Sequence, residues 1–271
     1  MRGSVRWGRR LAIGVAGLMG LMLVSGASVS DAHRTERTSA QADSWEDAEL
    51  LPPLPTLPPS FERPKTDCRK LRCVALTFDD GPGPDTERLL DMLGRAKAKA
   101  TFFVVGPQVS QFPATLLREA EEGHEVGNHT QHHLQLTAES TKVVHRELDD
   151  TSKIIEEILG FGPDLFRPPY GATDKRVEKE ARKEDMSVIL WSVDTDDWRH
   201  KNSSKVARQA IRGLHRGSII LMHDIHPTTV DAVPRILREA KRRGLTLATV
   251  TDVLVALEGE KPKPGKKYLG H

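Results

Sequence analysis

The chain has 271 residues, enough for one large α/β domain or two small ones, and is 38% hydrophobic, 29% charged and 5% aromatic. Its formal charge of +2 is unevenly spread: residues 1–32 and 259–271 each carry +3, which leaves residues 33–258 at −4. An acidic body excludes nucleic acid as the main partner, because proteins that bind it show a basic footprint on the folded domain.

In chain order, Arg2, Arg6, Arg9 and Arg10 precede an apolar stretch, Leu11 to Val24, and then small residues in "SGASVSDA". Residues 1–32 therefore read as a signal peptide, cut after Ala27 or Ala32, or as an uncleaved N-terminal anchor. The stretch is short for a membrane span, which needs about 20 residues. Either form implies a secreted or cell-surface protein, touching the membrane only through such an anchor. Residues 33–66 are polar and then proline-rich ("LPPLPTLPPS"), which reads as an extended linker. Cys68 and Cys73 are the only cysteines, and in an exported chain they are expected to form a disulfide.

From Cys68 to about Leu257, strand-like and helix-like patterns alternate. "CVALTF", "ATFFVVG", "HEVGNH", "DLFRPP", "SVILWSVD", "GSIILMHD" and "TLATVTDVL" read as strands. "DTERLLDMLGRA", "PATLLREAEEG", "ESTKVVHRELDDTSKIIEEILG", "KRVEKEARKED", "SSKVARQAIRGL" and "VDAVPRILREAKRRG" read as helices. Such alternation implies an α/β fold with a parallel sheet, open or closed into a barrel. Residues 259–271 read as a basic tail outside it.

The unusual polar residues follow strands: Asp79-Asp80, His129, Arg167, Asp194 to Trp198, and His223. In a βα barrel this places them on the C-terminal face, where active sites sit. Asp79 and Asp80 could equally be a solvated turn, since Asp-Gly and Gly-Pro follow them. His129 and His133 lie four apart and would face the same way on a helical turn, with His132 as a competing partner. With Asp80 they make a His-His-carboxylate set, which suits a catalytic divalent ion and would relieve the repulsion between the paired acids.

"TFDDGP", "HTQHH", "RPPYG", "DTDDW" and "LMHD", in that order, resemble the five motifs of the polysaccharide deacetylases, the NodB-homology domain of carbohydrate esterases. The resemblance covers about residues 67–258 and implies a distorted (β/α) barrel with about seven strand–helix units. It implies Asp79 as general base, with Asp80, His129 and His133 as ligands of one divalent ion. Zinc leads, with cobalt or another divalent ion as alternatives. Arg167 is expected to pair with Asp79, and the Tyr170 backbone N–H to join in stabilising the oxyanion. His223 corresponds to the general acid for the leaving amine. Its acidic partner is Asp197 by family position, although Asp194 and Asp196 stand nearby. Trp198 and Leu221 are expected to wall the acetyl pocket, with His226 behind the site. Thr173-Asp174 departs from the family's frequent aromatic-Asn pair, which bears on substrate contacts. The implied activity is N-deacetylation of N-acetylglucosamine units in peptidoglycan or a chitin-type glycan, by a monomer. An O-acetyl esterase acting on acetylxylan is the alternative. A non-catalytic glycan-binding module would be expected to break a motif, and all five are intact.

Overall fold

The computed structural model describes residues 57–58 and 61–271. The leader and most of the linker lie outside the described residues, among which no helix is long and apolar enough to cross a membrane.

The strands and helices run β1 (Cys73–Asp79), α1 (Thr86–Ala96), β2 (Thr101–Val104), α2 (Gly106–Gln111), α3 (Pro113–Glu121), β3 (Glu125–Asn128), α4 (Thr141–Leu159) and β4 (Leu165–Phe166). They continue with α5 (Lys175–Lys183), β5 (Ser187–Ile189), β6 (Val193–Asp194), α6 (Asp197–His200), α7 (Ser203–Arg212), β7 (Ile219–His223), α8 (Pro227–Arg242), β8 (Thr246–Ala248), α9 (Val250–Glu258) and β9 (Lys267–Tyr268). Strand order is β6-β7-β1-β2-β3-β4-β5-β9, with β8 also on β1, and every pairing is parallel. The sheet is curled with helices outside it, the distorted (β/α) barrel expected.

β1 is buried along its whole length, as its unbroken apolar run requires of a central parallel strand. Its pleat divides the side chains. Val74, Leu76 and Phe78 join the outer core beneath the helices, whereas Ala75 joins the inner cluster. Burying a side chain the size of Phe78 is worth about 1.5–3 kcal/mol. Helix α1 adds Leu89, Leu90 and Leu93 to the outer core. Period-two alternation then turns Asp79 towards the barrel interior, with Ala75 and Thr77.

Several sequence expectations are corrected. "SVILWSVD" is not one strand: β5 pairs with β4 and β9, and β6 pairs with β7, so the chain passes from one side of the sheet to the other between them. Trp191 sits in that crossing and is half-buried, not inside a strand. "TLATVTDVL" gives only β8 before α9 begins, its first turn capped by the Thr249 hydroxyl accepting from the Asp252 N–H at 3.3 Å. The domain does not end at residue 258. Within the basic tail β9 extends the sheet, Tyr268 is buried, and the His271 N–H reaches the Gly217 carbonyl at 2.9 Å. Backbone pairing holds this segment while its lysines stay in water. Nor does the body begin at residue 67: Leu57 is buried, Phe61 stacks on Phe161 at 6.1 Å, and Arg63 bonds Asp252 at 3.1 Å.

Candidate active site

Every sequence-selected polar motif opens onto the C-terminal ends of the strands. Asp79 closes β1, His129 follows β3, Arg167 follows β4, and His223 closes β7. Three groups assemble there.

The first is a buried ion pair. Asp79 Oδ1 accepts from Arg167 Nη1 at 2.7 Å. Arg167 is fully buried, and its other donors reach the Thr77 hydroxyl at 2.6 Å and the carbonyls of Ile189 and Leu190 at 3.3 and 3.2 Å. Its guanidinium lies 4.1 Å over the Phe103 ring. Burial pushes the Asp79 carboxyl up, and the charges of Arg167 and His223 pull against it.

The second is a ligand set. Asp80 Oδ1 lies 3.5 Å from His129 Nε2 and 3.4 Å from His133 Nε2. It is buried without a hydrogen-bond partner. His129 Nδ1 is 2.7 Å from the Arg167 carbonyl, so Nδ1 carries the proton and Nε2 keeps its lone pair facing Asp80. Burial pushes the His129 imidazole down to about 3, which keeps it neutral. The histidines are not on a helical turn. They sit in a loop shaped by left-handed residues, Thr130 at φ 73° and His133 at φ 54°. The Asn128 side chain accepts from the Thr130 N–H at 2.7 Å, and the Thr130 hydroxyl from the His133 N–H at 3.0 Å. His132 is engaged elsewhere, with Nδ1 2.8 Å from Glu147. Two imidazoles and a carboxylate whose buried oxygen has no partner fit one divalent ion.

The third is a histidine–carboxylate pair. Asp197 Oδ1 is 2.9 Å from His223 Nδ1, and Oδ2 accepts from the His223 N–H and the Thr229 hydroxyl, both at 2.7 Å. Burial lowers His223, but the hydrogen bond and charge of Asp197, with the charges of Asp79 and Asp80, raise it to about 9. This identifies the partner. Asp194 accepts from the Asp196 N–H at 2.8 Å, and Asp196 binds Arg199 at 2.9 Å, so neither rival meets His223.

At the rim Tyr170 is 67% exposed at φ 60°, its ring 4.8 Å from that of His133, and Trp198 is 52% exposed. Leu221 is buried, and the His226 ring is 6.1 Å from that of His223. Gly171 backs onto Trp191, where a Cβ would fall 2.9 Å from the indole.

Two supporting residues had no role from the sequence. Thr77 looked like an ordinary strand residue, yet its hydroxyl accepts from Arg167 and donates to the Ile220 carbonyl at 2.8 Å. Asp224, inside "LMHD", is buried, bonds the Thr86 hydroxyl, and is pushed up to about 7 mainly by burial. It packs on Gly81, where a Cβ would lie 2.5 Å from its Oδ1, so it fixes the loop leaving Asp80. Its place beside His223 was the available signal.

The chain is similar to known proteins in sequence and in fold. The family model described as polysaccharide deacetylase matches residues 66–189. The T48 deacetylase, solved with substrate, is 42% identical with a TM-score of 0.70, over 75% of this chain and 99% of that one. The chain belongs to the polysaccharide deacetylase family. Among curated family members, peptidoglycan-N-acetylglucosamine deacetylase PgdA of Listeria monocytogenes is 42% identical over 78% of this chain and 43% of its own length. Peptidoglycan-N-acetylmuramic acid deacetylase PdaC of Bacillus subtilis is 40% identical over 67% of this chain and 38% of its own. The chain thus spans less than half the length of these two polysaccharide deacetylases.

Proposed function

We propose that this chain is a metal-dependent hydrolase that removes N-acetyl groups from amino-sugar units of peptidoglycan, N-acetylglucosamine first. The observation that carries the reading is the meeting of three groups on one barrel mouth: the Asp79–Arg167 pair, the Asp80–His129–His133 set and the Asp197–His223 pair. The peptidoglycan substrates named for PgdA and PdaC supply the substrate class.

Asp80, His129 and His133 would hold one divalent ion, zinc by the chemistry of two imidazoles and a carboxylate. When bound, it supplies Lewis-acid polarisation at the acetyl carbonyl. Asp79, oriented by Arg167, takes the proton of the attacking water. The Tyr170 backbone N–H donates to the oxyanion that develops. His223, charged at neutral pH through Asp197, gives a proton to the departing amine as the C–N bond breaks. Acetate and a free amino sugar result. Trp198 and Leu221 wall the space for the acetyl methyl group.

The leader pattern of residues 1–32 supports a secreted or surface-tethered enzyme, in which the two cysteines, Cys68 and Cys73, form a disulfide after export. Acetate release by the metal-loaded protein from peptidoglycan, chitooligosaccharides and acetylxylan tests the reading. Release from the first two supports it; release from acetylxylan alone overturns it in favour of an O-acetyl esterase.

A further inference from the structure

We propose that β9, in the C-terminal tail, is a positioning element for Asp79, acting through β5 and Arg167. The claim rests on Asp79 working as the base.

Three observations link the tail to the site. First, β4 pairs with β5 only as far as Phe166↔Val188, whereas Ile189 is registered against Tyr268 of β9. The next residue, Leu190, donates its N–H to the Tyr268 carbonyl at 2.8 Å. Second, the carbonyls of Ile189 and Leu190 are the ones that take Arg167 Nε and Nη2, at 3.3 and 3.2 Å. They fix the plane of a guanidinium to which no water has access, and its remaining nitrogen holds Asp79 at 2.7 Å. The part of β5 that orients Arg167 is therefore held laterally by the tail. Third, the tail is anchored independently of the site. The Gly265 N–H reaches the Met186 carbonyl at 2.8 Å, the Tyr268 hydroxyl accepts from the Lys263 N–H at 2.9 Å, and the His271 N–H reaches Gly217 at 2.9 Å. The ligand set has other supports: Asn128 and Thr130 shape its loop, and the Arg167 carbonyl that meets His129 belongs to a residue whose N–H bonds Asn128.

Loosening β9 should therefore disturb the base and leave the ion site intact. Tyr268→Ala removes the buried anchor, and a chain ending at Pro262 removes the strand. Tyr268→Phe keeps the buried ring and the backbone pairing with Leu190, losing only the hydroxyl that accepts from the Lys263 N–H, and serves as the control. In the full metal-loaded chain, Tyr268→Ala should lower kcat on an aryl acetate ester by about 10–100-fold, the scale of a small misplacement of a catalytic group. KM and metal content by elemental analysis should not change. In an Arg167→Ala background the same substitution should add no further loss, because the two residues act as one unit. Hydrogen exchange supplies a readout independent of turnover: the Leu190 amide and Arg167 Nε–H should both lose protection in Tyr268→Ala and keep it in Tyr268→Phe. If the wild type releases no acetate, the functional reading fails, and these two protons still decide whether the tail holds Arg167. Additive losses in the Arg167→Ala background, metal loss that parallels the fall in kcat, or unchanged Arg167 Nε–H protection would each overturn the proposal.

Discussion

Asp197→Asn should move the alkaline limb of the pH–rate profile down by more than two pH units. His223 stands at about 9 because the hydrogen bond and charge of Asp197, aided by Asp79 and Asp80, overcome a burial effect that alone would lower it. An amide keeps the size but removes the charge, so His223 should fall to its ordinary 6.5 or lower. With the acid required protonated, the active fraction at about pH 8 drops from about 0.9 to about 0.03, a loss of about 30-fold. At about pH 6 most of that loss should vanish, since a group at 6.5 is then largely protonated. The amide also has one oxygen fewer to accept from the His223 N–H and the Thr229 hydroxyl, and an orphaned buried donor costs about 1–3 kcal/mol of stability. Thermal unfolding followed by circular dichroism separates that effect from the titration. The assay is kcat/KM for acetate release from a chitooligosaccharide, metal-saturated, from about pH 5.5 to about pH 9.5. An alkaline limb still near 9 in the variant, or an equal loss at every pH, refutes the assignment of His223 as an acid tuned by Asp197.

Three further outcomes are expected. His223→Ala should lose about 10²–10⁴-fold on N-acetyl oligosaccharides, but far less on a nitrophenyl acetate, whose leaving group departs as an anion; equal losses would favour a purely electrostatic role. Asp80→Ala and His129→Ala should each abolish activity and metal retention while circular dichroism shows the fold intact; elemental analysis finding full metal occupancy in an active double variant would count against the ligand set. Cys68 and Cys73 should yield no free thiols when the exported protein is titrated under denaturing, non-reducing conditions, and reduction should lower stability by at most a few kcal/mol, because the loop they close is short.

What the sequence revealed was whatever periodicity or motif order encodes. The alternation of apolar runs gave a parallel sheet, and the resemblance carried by the five motifs gave the barrel and its mouth. Asp79 lies inward because the pleat of β1 demands it. The failures have physical causes. A short apolar run such as "SVILWSVD" carries no sign that its ends belong to opposite sides of a closing sheet. The tail carries charge on its side chains and its structure in its backbone, so composition pointed to solvent. Four-residue histidine spacing matches a helical turn, but a loop with two left-handed residues brings the same rings together. Asp197 is separated from Asp194 and Asp196 only by burial, which no local pattern displays. The start of α9 is missed in reading "TLATVTDVL" as strand throughout, although Thr249 precedes Asp252 by a capping interval.

Asp80, Thr130, His133 and Tyr170 are all non-glycine residues at positive φ, between 54° and 73°; Asp80 and His133 belong to the ligand set, and Thr130 and Tyr170 contact His133. Backbones of this kind typically store about 1–3 kcal/mol each, and for a β-branched threonine the conformation is a genuine outlier. Selection for heat resistance alone would thus pull against the chemistry. Glycine at position 130 relaxes the chain but deletes the hydroxyl that holds the His133 N–H, and glycine at 170 removes the ring beside His133. Libraries screened only for thermal survival should collect substitutions at these positions and return tougher, slower enzymes, whereas libraries screened for acetate release should retain the strained residues.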